Sequence, residues 1–448
     1  MKITGLITEY NPFHNGHHHH LQKAKEITGA DHIVVVMSGD YVQRGTPAIM
    51  SKTFRTEMAL KAGASAVFEI PMCYATGSAE LFATGAISLL DSLGCIDSVV
   101  FGSECNDIET LSIVADFLQN EPVEYKDLLQ QGLKSGLTFP AARAKATSDI
   151  LDNQFDYANL LDGSNNILGI EYIKALNLIN SPIKPYSIMR QGSNHRDTNL
   201  HVKYSSATSI RLLLEEQYEK HLSLTSDNGK NSSSCDSTKF EAKYPGKLLW
   251  ENTSEDMLKE IATQVPSHSF EILKKHYGTH YPINQNDFSL LLKYKLLDKT
   301  PDQLVQFLDV SEELANRVVN QLNSFVGYQQ FSQLLKTKEV THSRVNRALL
   351  HIMLDIKKVD VEEYKQRGYH FYSRLLGFRR DEEHLISKIA KESKLPIITA
   401  ISRSENISHI GRKMLSHDVY ATNLYNSVVT DKYKSRYKNE LSQGVIKL

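Results

Sequence analysis

Apolar and polar positions alternate in two different rhythms along the first hundred residues. Residues 2–8 are short, apolar and rich in β-branched side chains, and residues 32–37 read His-Ile-Val-Val-Val-Met. An unbroken apolar run of that length predicts a parallel strand buried on both faces. The segment between them, 17–28, reads as a helix. A second helix is predicted over 51–62, with Phe54, Met58 and Ala62 on one face and Gly63 as its stop. A third strand over 66–70, a helix over 78–93 ended by Gly94, and a fourth strand over 98–101 complete the pattern. Strands alternating with helices predict a parallel sheet with right-handed crossovers. In such sheets ligands sit beyond the carboxyl ends of the strands. The segments following strands one, two and four are therefore where chemistry is expected.

Further along, 107–157 reads as mainly helical, 165–176 as a helix, 186–189 as a fifth strand and 206–216 as a helix. A polar tract over 225–238, rich in Ser, Asn and Asp, has no apolar period and reads as a linker or exposed insertion. After Lys239 short amphipathic helices are predicted over 256–264, 270–276, 287–297, 301–308, 312–324, 331–337 and 343–355. Two strands, 374–378 and 396–400, flank a helix over 382–391. The expected class is α/β: a Rossmann-like parallel-sheet domain over 1–222, a polar linker over 223–245, and a mainly helical C-terminal region over 246–448.

The composition fits a globular protein of 448 residues, 41% hydrophobic and 23% charged, long enough for two to four domains. Apolar runs such as 33–37 are far too short to cross a bilayer, so no membrane partner is expected. The first residues lack the apolar stretch of a signal peptide. Four cysteines, at 73, 95, 105 and 235, form no Cys-x-x-Cys pair. That argues against a disulfide framework or a four-cysteine zinc site and predicts a cytoplasmic location. The net charge of −1 hides an asymmetry: residues 341–448 hold 20 Lys and Arg against 12 Asp and Glu, or +8, and the preceding 340 residues hold 31 against 40, or −9. A basic C-terminal quarter on an acidic body fits a polyanion partner, although uneven solvated helix faces give the same count.

The sharpest motif is Glu9-Tyr10-Asn11-Pro12-Phe13-His14-Asn15-Gly16-His17, which follows the first strand and opens the first helix. Gly16 would let a phosphate approach the backbone, and N–H groups at a helix start favour an anion. Two imidazoles three residues apart, His14 and His17, can donate to phosphate oxygens and stabilise charge growing on an α-phosphate. The same two residues would also serve as plain helix caps. His17, His18, His19 and His20 form a run of four, but no acidic or cysteine cluster adjoins it, so no metal ligands are assigned. After strand two come Ser38-Gly39-Asp40-Tyr41-Val42-Gln43-Arg44-Gly45, where Arg44 suits a phosphate or a carboxylate. Gly102 after strand four, Asn165 with Asn166, Arg190 with Gln191 and Gly192, and Ser205-Ser206-Ala207-Thr208-Ser209-Ile210-Arg211 are further candidates. Each alone reads equally as a cap or a solvated turn.

Taken together, His14-Asn15-Gly16-His17 and Thr208-Ser209-Ile210-Arg211 resemble the nucleotidyltransferase superfamily marked by a His-x-Gly-His motif. With residues 38–45 and 165–172 the chain resembles more closely the bacterial tRNA(Met) cytidine acetate ligases. The resemblance implies an ATP-binding catalytic domain and a basic tRNA-binding C-terminal region. It implies that ATP, with Mg2+, activates acetate as acetyl-adenylate, and that the acetyl group passes to N4 of the wobble cytidine of elongator tRNA(Met). It implies His14 and His17 as catalytic, and Ile7 to His20 (His18, His19 and His20 included), Gly102, Asn165, Arg190 and Gln191 as ATP contacts. Aromatic residues between 364 and 378 are candidates for stacking on bases. Two rival readings are an adenylyltransferase acting on a small phosphorylated metabolite and a noncatalytic RNA-binding protein. The sequence does not specify an oligomeric state.

Overall fold

In a computed structural model, which describes residues 1–151, 157–190, 206–228, 255–338, 340–404 and 406–448, the apolar runs become neighbouring strands. β1 (Ile3–Thr8) pairs in parallel with β2 (His32–Ser38) on one side and β6 (Ser98–Ser103) on the other. β5 (Ala66–Ile70) extends the sheet beyond β2, and β7 (Lys184–Met189) extends it beyond β6, both in parallel. The central strands are buried, apart from a half-buried Ile7 on β1, which is why they read as continuous apolar runs. A two-stranded hairpin, β3 (Tyr41–Val42) with β4 (Thr46–Pro47), leaves the end of β2.

Helix α1 (Asn15–Thr28) returns β1 to β2, and α2 (Lys52–Lys61) returns the hairpin to β5. A short helix α3 (Met72–Ala75) leads into α4 (Ala79–Ser92), which crosses back under the sheet to β6 and packs on the Ser164–Leu178 helix. The chain thus moves outward in one direction after β1 and in the other after β5. The strand order reverses between β1 and β6, which opens a crevice beyond their carboxyl ends.

The sheet is not wholly parallel as expected. β8 (Ser373–Phe378) pairs antiparallel with β5, and β9 (Ile397–Ile398) and β10 (Ile446–Lys447) both pair with β8. The strands near 374 and 397 are where the sequence put them, but they complete the N-terminal sheet, giving eight strands in all. β8 enters from the helical region instead of through a crossover from β5, so no parallel return is imposed on it. The C-terminal helices, including His342–Leu354 and His409–Tyr433, share one apolar core with the sheet. Tyr364, Tyr372 and Phe378 belong to that core and are buried, so they are not available to stack on bases. The Ala207–Asn228 helix runs past its expected end at 216 and four residues into the expected polar tract. Residues 229–238 of that tract, with Cys235, lie outside the described residues. No helix among the described residues is long and apolar enough to cross a membrane.

Candidate functional site

The crevice between β1 and β6 holds a cleft of ≈ 280 Å³. Its lining comes from the segments that follow β1, β2, β6 and β7, together with the starts of α1 and of the Ser164–Leu178 and Ala207–Asn228 helices. Among the expected ATP contacts, Ile7, Thr8, Glu9, Tyr10, Asn11, His14, Gly16, His17, His19, His20, Gly102, Asn165 and Arg190 line it. Pro12, Phe13, Asn15 and His18 do not. Phe13 is buried in the core, Asn15 donates through Nδ2 to the Thr263 carbonyl (2.7 Å), and His18 faces Gln22 and His268. Gln191, Gly192 and Ser205 lie outside the described residues.

His14 and His17 are helix caps and cleft residues at once. His14 is the N-cap of α1, and its Nδ1 accepts the Gly16 N–H at 3.0 Å. His17 Nδ1 accepts the His14 N–H at 3.3 Å, closing a reciprocal capping box. The two rings stack with centroids 3.7 Å apart, and Tyr10 and Phe13 pack against His17. Since both Nδ1 atoms accept, the neutral ring carries its hydrogen on Nε2 in each case. Gly16 is required because an added Cβ would stand 2.8 Å from His14 Cε1. The expectation that open helix-start N–H groups cradle an anion is corrected here. The N–H groups of Gly16, His17 and His18 are taken by the cap, so these three are not open to an anion.

Arg211 is fixed against the loop by donating from Nη1 to the Asn11 carbonyl (2.7 Å) and from Nη2 to Thr208 Oγ1 (3.1 Å). At the other end, Glu104 caps the Ser164–Leu178 helix, accepting from Asn165 N (3.1 Å), Asn165 Nδ2 (2.6 Å) and Asn166 N (2.8 Å). Asn166 in turn binds the turn after β6 through its Oδ1, taking Ser103 Oγ and the Glu104 N–H. The motifs after β6 and at 165–166 therefore lock each other in place, while an added Cβ on Gly102 would meet only open space.

Burial lowers the Arg190 and Arg211 guanidinium pKa values; Glu104 and Glu9 respectively oppose that, and Arg44 adds repulsion to both. Burial, with repulsion from His19, lowers the His20 imidazole to about 4, so it is neutral near pH 7. Glu9 Oε1 accepts the Gln43 N–H at 3.0 Å, tying the hairpin to the β1 loop.

Arg55 carries no signal in the sequence, since it sits inside an amphipathic helix like any solvated arginine. The fold turns it wholly inward. Its Nη1 donates to the carbonyls of Glu9 (2.6 Å) and Ser38 (3.0 Å), its Nη2 to that of Gly39 and its Nε to that of Met50. One guanidinium thus ties the ends of β1 and β2 together. The described residues include one group able to share a metal ion, His32, Glu382 and His384, and it stands at the amino end of β2, the opposite edge of the sheet from the cleft.

A family model described as HIGH Nucleotidyl Transferase matches residues 1–440. A tRNA(Met) cytidine acetate ligase of Thermoanaerobacter sp. (strain X514) is 39% identical over 426 residues, 95% of each chain. One of Acetivibrio thermocellus is 35% identical over 448 residues, all of both chains. Thermotoga maritima TmcAL superposes over the whole of both chains with a TM-score of 0.85 in its apo crystal form and 0.83 bound with alpha-thio ATP, at 32% identity.

Proposed function

The chain belongs to the HIGH nucleotidyl transferase family, among the tRNA(Met) cytidine acetate ligases, and from that membership we propose how its cleft carries out their reaction. The protein is an ATP-dependent ligase that acetylates N4 of the wobble cytidine of elongator tRNA(Met). In the first step an acetate oxygen attacks the α-phosphorus of ATP. The new O–P bond forms as the bond to the bridging α–β oxygen breaks, and pyrophosphate leaves. In the second step the cytidine N4 amine attacks the acetyl carbonyl, AMP leaves, and the amine loses a proton.

The observation that carries this reading is the double role of His14 and His17. Their Nδ1 atoms hold the cap, which keeps Nε2–H as the donor edge of each neutral ring on the cleft lining. Such donors, fixed before the reaction, stabilise charge that grows on the α-phosphate oxygens. Gly102, Asn165 and Arg190 line the end of the cleft below β6 and β7 and take the nucleoside end. Mg2+ accompanies the triphosphate as part of the substrate, and Glu9 is the carboxylate among the described lining residues. The basic C-terminal region over 246–448 contacts the tRNA backbone.

The test is transfer of labelled acetate to elongator tRNA(Met) with release of pyrophosphate. His14→Ala is expected to slow acetate-dependent pyrophosphate release by roughly a hundredfold or more, the usual cost of one donor at a developing oxyanion. Transfer at the wild-type rate by that variant removes His14 from the mechanism. A stable dinucleotide formed without tRNA identifies metabolite adenylylation instead, and tRNA retention with no ATP turnover identifies a binding protein.

A further inference from the structure

Arg44 is the exposed tip of the β3–β4 hairpin, and it lines the same cleft as Arg190 and Arg211. Its backbone is not a loose loop. Gln43 N–H is held by Glu9, Gly45 N–H returns to the Val42 carbonyl (2.9 Å), and Tyr41 and Val42 are buried. Gly45 has φ +72, a left-handed conformation, and its α-carbon sits against the 342–354 helix; an added Cβ would stand 2.6 Å from Arg347 Cα. Only glycine fits here, and its close approach to the helix holds the hairpin in place.

The guanidinium itself is differently placed. Among the described residues Arg44 makes no side-chain hydrogen bond or ion pair, whereas Arg211 is anchored on Asn11 and Thr208 and Arg190 faces Glu104. Arg44, Arg190 and Arg211 lie close enough for Arg44 to repel both of the others. A well-held hairpin that brings a cation with no partner among the described residues close to two more is unfavourable until an anion arrives. Glu104 offsets Arg190, and Glu9 and Glu215 offset Arg211, while Arg44 has no ion pair among the described residues. A triphosphate carries three or four charges, and its β- and γ-groups offer the oxygens that a guanidinium fork fits. A tRNA phosphodiester has one charge and would have to enter a cleft lined on both sides.

We propose that Arg44, from the hairpin that lines the cleft, grips the β- and γ-phosphates of ATP, and so the pyrophosphate as it departs. This rests on the reading of the cleft as an ATP site. It makes the hairpin, and not the α1 start, the element that distinguishes ATP from AMP.

Calorimetric titration of the full-length chain with ATP, inorganic pyrophosphate and AMP tests it. In Arg44→Ala, ATP and pyrophosphate are expected to bind roughly ten- to a hundredfold more weakly, as for one lost charge-assisted contact. AMP should change by less than about twofold, and Arg44→Lys should recover part of the loss. Without ligand the thermal midpoint should be at or above the wild-type value, because removing Arg44 relieves repulsion on Arg190 and Arg211 and breaks no side-chain hydrogen bond among the described residues. Equal weakening of AMP, or unchanged ATP and pyrophosphate affinity, overturns the proposal. So does an effect confined to the KM for acetate or to tRNA affinity, which would hand the residue to the other substrates. Wild-type protein that fails to bind ATP at all would instead overturn the reading of the cleft.

Discussion

At the scale of single residues, the candidate catalytic histidines show why capping and chemistry need not compete. An imidazole has two nitrogens, and the fold gives one of each pair a structural role, which settles where the hydrogen sits on the other. The same logic applies to histidines far from the cleft. His370 is buried, with Nε2 donating to the Gly85 carbonyl at 2.6 Å, and burial lowers its pKa to about 4. The native state therefore refuses a proton that the unfolded chain accepts from about pH 6.5 downward. Its contribution to stability is complete above pH 6.5 and is lost as the pH falls toward 4. By pH 5 the loss is about 2 kcal/mol. Urea unfolding of wild type and His370→Gln at pH 7 and pH 5 checks this: the variant should lose about 2 kcal/mol less on acidification, and an identical pH dependence would contradict it.

At the scale of elements, the carboxyl edge of the sheet is tied together by buried charge. Lys52, at the start of α2, pairs with Glu69 at the end of β5 (2.7 Å) and with Glu440 near the C-terminus (2.8 Å). Arg374 on β8 pairs with the same two carboxylates. The Lys52 N–H also donates to Asp40 (2.7 Å), next to the hairpin. Burial works against the charge on Glu440, yet Lys52 and Arg374 outweigh it and hold its carboxyl below the usual range. Removing one member of such a cluster strands the others. Glu440→Gln is expected to destabilise the protein by about 3 kcal/mol in denaturant unfolding; a change under about 1 kcal/mol would mean that the cluster is solvated in solution. The cluster explains how β8 and the C-terminal segment, distant in sequence, come to brace the loop that carries Asp40 and Arg44. Residues 38–45 stand out in the sequence as a motif, but the hairpin within them has strands of two residues, too short for any periodicity to reveal.

At the scale of the whole molecule, the positive balance of residues 341–448 is partly spent internally, on Arg374, on Lys413 with Asp360 and on Lys432 with Asp287. Arg436 and Lys438 remain exposed, make no ion pair among the described residues, and flank Tyr437, itself 41% exposed. These are better placed for RNA than the buried aromatics between 364 and 378. The affinity for tRNA should fall with salt, and replacing both Arg436 and Lys438 with Ala should lower the slope of log affinity against log salt by about 1.5 to 2. An unchanged slope would place the RNA elsewhere. The sequence by itself determined the β–α alternation, the central strands and the two histidines with their glycine, because buried strands and special turns demand particular residue types locally. It also carried the family through those motifs. Only the tertiary structure decided that β8 closes the sheet in the opposite direction and that Arg55 points inward. It likewise decided that Arg44 lines one cleft with two other guanidiniums, Arg190 and Arg211. Each of these depends on what a residue meets tens to hundreds of positions away, and local pattern holds no record of that.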